Sequence, residues 1–163
     1  MTLSNFHTYL GAVDMHLTTL RGAPSGPEHQ RMINLSYQAG ESPVDCAARL
    51  VQSARSLRAF RLAALNDALR QTFSGGRILT THGVTALGEE AVQALLRQLQ
   101  TYDQFDQDND PYGEHDFGVL EYEGEKLFWK IDYYDQNLEY GSEDPADPAK
   151  TCRVLTIMLA SEY

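Results

Sequence analysis

The chain has 163 residues, 42% of them apolar, two cysteines and a formal net charge of −10 at pH 7. That length allows one domain with a proper core and a small appendage. No run approaches the roughly 18 apolar residues of a membrane span. The opening "MTLSNFHTYLGAVDMHLTTL" lacks the basic lead-in and long apolar block of a secretory signal. Cys46 and Cys152 form no ligand spacing, so a reduced, cytoplasmic setting is expected, with no metal and no cofactor.

The charge is unevenly spread. Residues 1–100 carry nine arginines, no lysine and seven acids, a net of +2, whereas residues 101–163 carry four basic residues and sixteen acids, a net of −12. An acidic surface repels nucleic acid and attracts basic protein grooves; equally, acidic loops keep a protein in solution.

In chain order, Phe6, Tyr9, Leu10, Val13, Leu17 and Leu20 mark one face of an amphipathic helix, with Ser4 as its cap. "GAPSGP" at Gly22 to Pro27 breaks it. A second helix over about Glu28 to Gln38 stops at Gly40, which suits a left-handed position after a helix. Ser42 followed by Pro43 predicts the start of a third helix. A kink or break is expected near Ser53 to Ser56, and "SGG" at Ser74 to Gly76 is the stop. Arg55, Arg58 and Arg61 share one side, read as a solvated face or a partner for the chain's own acids before a nucleic-acid stripe, because the total charge opposes DNA binding.

Then the period changes. "RILTTHG" is a short strand, and "EEAVQALLRQLQTY" is a helix with Val92, Leu95, Leu96, Leu99 and Tyr102 on one face, capped by Gly88 or Thr85. "DQFDQDNDPYG" is an acidic connection. Glu123-Gly124 is a hairpin signal inside "EHDFGVLEYEGEKLFWKIDYYD". A two-residue turn there sets Tyr122 opposite Glu125, Glu121 opposite Lys126, Leu120 opposite Leu127, Gly118 opposite Trp129 and His115 opposite Asp132. Gly118, Leu120, Leu127, Trp129 and Ile131 then form the core side, and His115, Phe117, Lys130 and Asp132 the other. "TCRVLTIMLASEY" is apolar on both faces, as a central strand is. The pattern predicts an α+β fold: a mostly antiparallel sheet of about four strands with packed helices over residues 57–163, preceded by an N-terminal helical segment, 1–56.

The segments "LNDALRQTF…GGRILTTHGV", "NDPYGEHDFG", "KIDYYD" and "RVLTIMLASEY" resemble, from roughly Ala59 to Tyr163, a bacterial family known as domain of unknown function 3768. The resemblance implies an accessory protein of plasmids and other mobile elements and brings no assigned activity with it.

The polar constellation is His82, Glu114, His115, Asp116, Lys130, Asp132 and Asp135. His115 facing Asp132 would make an acid–base pair, or a structural bridge between two strands. No nucleophile signature accompanies it. Asp106, Asp108 and Asp110 have the opening spacing of a calcium loop. However, Pro111 stands where glycine is required and Phe117 where glutamate is required, so the loop fails as an EF-hand.

Two functions of different class remain. One is an acidic interaction protein of a mobile element, inhibiting a host defence system such as an RNA-guided or restriction nuclease. It would bind a basic surface of a host or phage protein through Asp103, Asp106, Asp108, Asp110, Glu143, Asp144 and Asp147. In that case no nucleic acid and no membrane are engaged, and a homodimer is possible. The other is a small hydrolase or transferase using His115, Asp132, His82, Glu114 and Asp116.

Overall fold

The computed structural model describes residues 3–163. The chain divides into two compact units, Met1–Leu57 and Arg58–Tyr163.

In the first unit α1 (Leu3–Arg21) and α2 (Gln30–Ala39) pack with the opening of α3 (Pro43–Thr72). Val13, Leu17, Ile33, Cys46, Ala47 and Leu50 form the core, with Phe6, Tyr9 and Leu10 against it. The apolar stripe of α1 is therefore real except at its last member, Leu20, which is 53% exposed. The Ser4 side chain, expected to cap α1, lies outside the described residues. Gly40 ends α2 at φ 73°, a left-handed conformation that glycine adopts without strain. Ser42 starts α3 as expected: the Asp45 N–H donates to Ser42 Oγ at 3.2 Å, and Ser42 Oγ donates to Asp45 Oδ2 at 2.6 Å.

Of the kink or break expected near Ser53 to Ser56, the break is absent: α3 runs as one helix of 30 residues. No proline or glycine follows Pro43 within it. Ser56 Oγ donates to the Gln52 carbonyl at 3.0 Å, so this serine is satisfied inside the helix.

The second unit holds the sheet. Its strands are β1 (Gly76–Thr80), β2 (Phe117–Tyr122), β3 (Glu125–Tyr134) and β4 (Cys152–Leu159), with the short α4 (His82–Ala86) and α5 (Glu89–Gln100) between β1 and β2. The order is β1-β4-β3-β2. β1 runs parallel to β4, and the other two pairings are antiparallel. This is the α+β architecture with a mostly antiparallel sheet, and β4 is internal. Gly88 is the residue before α5.

The hairpin register is as predicted from Tyr122–Glu125 through Gly118–Trp129. Glu123 and Gly124 both have positive φ, 51° and 85°, the turn that matches the twist of its strands. Trp129, Leu127, Leu120 and Ile131 are buried with Leu69, Leu95, Leu99, Leu155 and Ile157 between sheet and helices. Gly118 is required by space: a Cβ there would lie 2.5 Å from Trp129 Nε1 and 2.7 Å from Tyr102 Cζ. Among the described residues no helix is long and apolar enough to cross a membrane.

Candidate functional site

The polar groups concentrate where the 101–116 connection meets α3. The connection is built from aspartate-held turns. Asp106 Oδ1 accepts the N–H groups of Asp108 and Asn109, at 2.8 and 3.1 Å. Asn109 Nδ2 donates to the Gln104 carbonyl at 2.7 Å and to Tyr102 Oη at 3.2 Å. Asp110 Oδ1 accepts Glu114 N–H at 2.8 Å and His115 N–H at 3.2 Å. Short acceptors on the backbone explain why aspartate and asparagine crowd this stretch. "NDPYG" is thus a chain reversal, with Gly113 at φ 68°.

His115 is where the expected geometry changes. Its φ is 53°, a left-handed value for a non-glycine residue. The β2–β3 ladder ends at Phe117–Lys130, so His115 does not face Asp132. The left-handed residue breaks the alternation of faces and turns the imidazole toward the helices. Nδ1 sits 2.9 Å from Asp67 Oδ2, Nε2 lies 3.7 Å from Asp110 Oδ2, and the ring stacks on Phe105 at 3.8 Å. Asp132 pairs instead with Lys130 at 2.9 Å, and the bonded carboxylate raises the lysine above its ordinary pKa.

Behind His115 lies a buried network contributed by α3. Asp67 also holds Arg70 at 2.9 Å, and the Arg70 guanidinium donates to the Leu99 and Gln100 carbonyls at the end of α5, beside the Phe105 and Trp129 rings. Asn66 Nδ2 donates to the Glu114 carbonyl at 2.8 Å and to Tyr133 Oη at 2.7 Å, while its Oδ1 accepts Arg153 Nε at 3.0 Å. Arg70 and Arg153 are each 2% exposed. Arg70 is paired with Asp67, whereas Arg153 makes no ion pair among the described residues and is held by Asn66 Oδ1, the Pro145 carbonyl and the face of the Tyr133 ring, and burial lowers its pKa. Asn66, Asp67, Arg70, Phe105 and Arg153 were not singled out from the sequence. The one signal, for the first three, was polar residues at positions 66, 67 and 70 among the apolar positions Leu62, Leu65 and Leu69 of a helix.

Glu114 and Asp116 flank His115. Burial pushes both carboxyls above their ordinary pKa; Asp116 adds to the shift of Glu114, and Asp110 and Asp132 add to that of Asp116. Burial likewise raises the Tyr133 hydroxyl. His82 does not join them. It opens α4 after β1, at one edge of the sheet, whereas His115 precedes β2 at the other. Three strand spacings of about 4.8 Å separate those edges, and the register puts the two histidines at opposite ends as well. Near His82, the Glu162 carboxylate accepts Thr81 Oγ1 at 2.6 Å, Leu159 N–H at 2.9 Å and Gly83 N–H at 3.0 Å. Those bonds hold its pKa low, the one from Thr81 most.

The acids expected to bind a partner fall into two kinds. Asp106, Asp110, Asp144 and Asp147 accept backbone N–H groups of their own loops; Asp144 also lies 3.7 Å from Arg58. Glu143 lies 3.5 Å from Lys150 and is largely exposed. Asp103 and Asp108 are exposed, and their carboxylates bond to no described residue. Among the described residues no group of three or more His, Cys, Asp or Glu is placed to hold a metal ion.

The second unit is an α+β domain whose polar centre is a histidine clamped between two aspartates. The chain belongs to a family of proteins of unknown function, DUF3768, whose model matches residues 80–162. The match takes in His82, the 101–116 connection and the hairpin, and begins after Asn66, Asp67 and Arg70. No curated protein and no solved structure matches the chain.

Proposed function

We propose that this chain is a non-enzymatic interaction protein that engages a basic protein surface through the acids of its second unit. The observation that carries the proposal is the exposed, uncompensated charge around the hairpin. The carboxylates of Asp103, Asp108, Glu121, Glu123, Glu125 and Glu139 are exposed and make no ion pair with a described residue. Such a surface steers a basic partner at long range and repels nucleic acid. A basic groove that ordinarily holds nucleic acid, as in an RNA-guided or restriction nuclease, is the matching target. The resemblance to accessory proteins of mobile elements makes inhibition of a defence nuclease the corresponding role.

The hydrolase reading has less to stand on. Both His115 nitrogens face aspartates and one ring face is covered by Phe105, while Asp132 and His82 lie elsewhere. Catalysis needs reacting groups held together around a space for substrate.

The test is co-purification from a bacterial lysate at low and high salt, followed by an assay of nucleic-acid binding by the captured protein. A captured nucleic-acid-binding protein that is released by salt, and whose binding the chain blocks, is the expected result. Capture of nothing, together with loss of a cellular phenotype in folded His115→Ala, returns the role to catalysis.

A further inference from the structure

Both ring nitrogens of His115 are met by carboxylates. Nδ1 lies 2.9 Å from Asp67 Oδ2, and Nε2 lies 3.7 Å from Asp110 Oδ2, too far for a hydrogen bond and near enough for an ion pair. Each acid is already engaged as an acceptor. Arg70 Nη2 donates to Asp67 Oδ1 at 2.9 Å, and Asp110 Oδ1 accepts the Glu114 and His115 N–H groups at 2.8 and 3.2 Å.

A neutral imidazole carries one N–H and one lone pair. With Nδ1–H given to Asp67, the Nε2 lone pair of a neutral ring faces the Asp110 carboxylate, and the two repel. A proton on Nε2 turns that contact into an attraction. It also places a cation on the face of the Phe105 ring, whose centroid is 3.8 Å away with the rings parallel to within 2°.

The charges around the ring come from three directions. From α3, Arg70 opposes the cation: it is paired with Asp67, and its guanidinium lies 5.6 Å from the Phe105 centroid. From the start of β2, Asp116 favours the cation, since the imidazole is one of the groups acting on its carboxyl. Glu114 is the chain neighbour on the other side, with Arg58 acting on it in turn. The carboxylates in contact with the ring, Asp67 and Asp110, are thus joined by further acids against a single neighbouring guanidinium.

The backbone works in the opposite sense. The left-handed φ of 53° costs a non-glycine residue energy, which the surrounding contacts must supply. Between the end of α5 and the start of β2 the connection has no helix or strand to hold it. Its fastening to α3 runs through the His115 ring and through the Glu114 carbonyl, which accepts Asn66 Nδ2 at 2.8 Å.

We propose that His115 is a proton-operated latch: the doubly protonated ring fastens the 101–116 connection to α3 through Asp67 and Asp110, and loss of one proton loosens it. Only the charged ring satisfies both carboxylates. The fastening is therefore present in full at low pH, while those acids stay ionised, and is lost as pH rises through the titration of the ring. The inference concerns the connection itself and does not rest on the interaction role.

The test is solvent-exchange NMR of the full chain between about pH 5 and about pH 8, the range in which histidine changes charge. The Glu114 and His115 amides are the readout, as protection factors, which remove the intrinsic effect of pH on exchange. Amides of the β3–β4 ladder report global unfolding. Protection of the two readout amides should fall at least about threefold across that range, the scale of a half-exposed charge pair, while the ladder stays unchanged. The His115 ring nitrogen shifts of the parent should show both nitrogens protonated at the acid end. His115→Asn keeps a residue that tolerates left-handed φ but cannot gain charge, and should abolish the fall. The carboxyls of Glu114 and Asp116, raised by burial, would give a dependence of the same sign, and both remain in that variant. A fall that persists in His115→Asn therefore overturns the latch and assigns the dependence to them. Flat protection in the parent, or a singly protonated ring while the connection stays protected, overturns it as well.

Discussion

At Gly118 a missing side chain decides the packing of the sheet. The indole edge and the Tyr102 ring occupy the space a Cβ would need, at 2.5 and 2.7 Å. Gly118→Ala is expected to cost about 1–3 kcal/mol, because two rings in a packed core must shift; a chemical denaturation midpoint equal to that of the parent would contradict the contact. Charge at single residues gives a second prediction, of two opposite signs. The folded state binds the Asp116 proton more tightly than an ordinary carboxyl does, since burial raises its pKa. Stability from that group is present in full below about pH 3.9, the ordinary aspartate value, and is lost as pH rises through the folded value. Asp116→Asn should therefore stabilise the protein at neutral pH and lose that advantage in acid. Glu162 runs the other way: its folded pKa is lowered by Thr81 and by the Leu159 and Gly83 N–H groups. Its contribution is present above about pH 4.3 and disappears as pH falls through the folded value. Glu162→Gln should destabilise at neutral pH and make no difference in acid. Thermal melts across pH read both, and melts of either variant that run parallel to the parent at every pH would remove the assigned cause.

At the scale of elements, what was legible in the sequence is what local periodicity encodes. The hairpin register follows from period-two alternation about a turn whose two residues take positive φ, and Glu123-Gly124 announces that turn. The same alternation, carried past Phe117, misplaces His115, because one left-handed residue reverses the side on which the next group falls. Asp110 holds that conformation through the Glu114 and His115 N–H groups, and the partner that receives the ring, Asp67, is 48 positions away. No periodic signal spans such a distance. The opposite error occurs in α3, where serines at 53 and 56 suggest a weak point that the helix absorbs by hydrogen bonding the Ser56 hydroxyl to the preceding turn. Ser56→Pro distinguishes the two. It should lower helix content and cost about 3 kcal/mol in a continuous helix, and circular dichroism indistinguishable from the parent would mean that the helix is interrupted there.

For the whole molecule, a net charge of −10 is the property that the proposed function uses, and it is also a load on folding, since like charges repel in the compact state. The structure sorts that charge by task. Asp106, Asp110, Asp135, Asp144 and Asp147 close their own loops by accepting backbone N–H groups. Asp103, Asp108, Glu121, Glu123, Glu125 and Glu139 stand exposed and unpaired among the described residues. Neutralising the second set to Asn and Gln should change stability by no more than about 0.5 kcal/mol per site, with the sign toward stabilisation as repulsion falls. Replacing a loop-closing aspartate by alanine should cost about 1 kcal/mol each, the worth of a typical hydrogen bond to a loop backbone. Function should divide along the same line. The neutralised set should slow association with a basic partner and flatten its dependence on salt, because steering falls with the charge that produces it. The loop variants, measured well below their unfolding temperature, should leave the salt dependence almost unchanged apart from the single charge removed. Association rates recorded over a range of ionic strength read this directly. If the loop variants lost the partner while the neutralised set kept it, recognition would lie in the shape of the loops and not in the field around them.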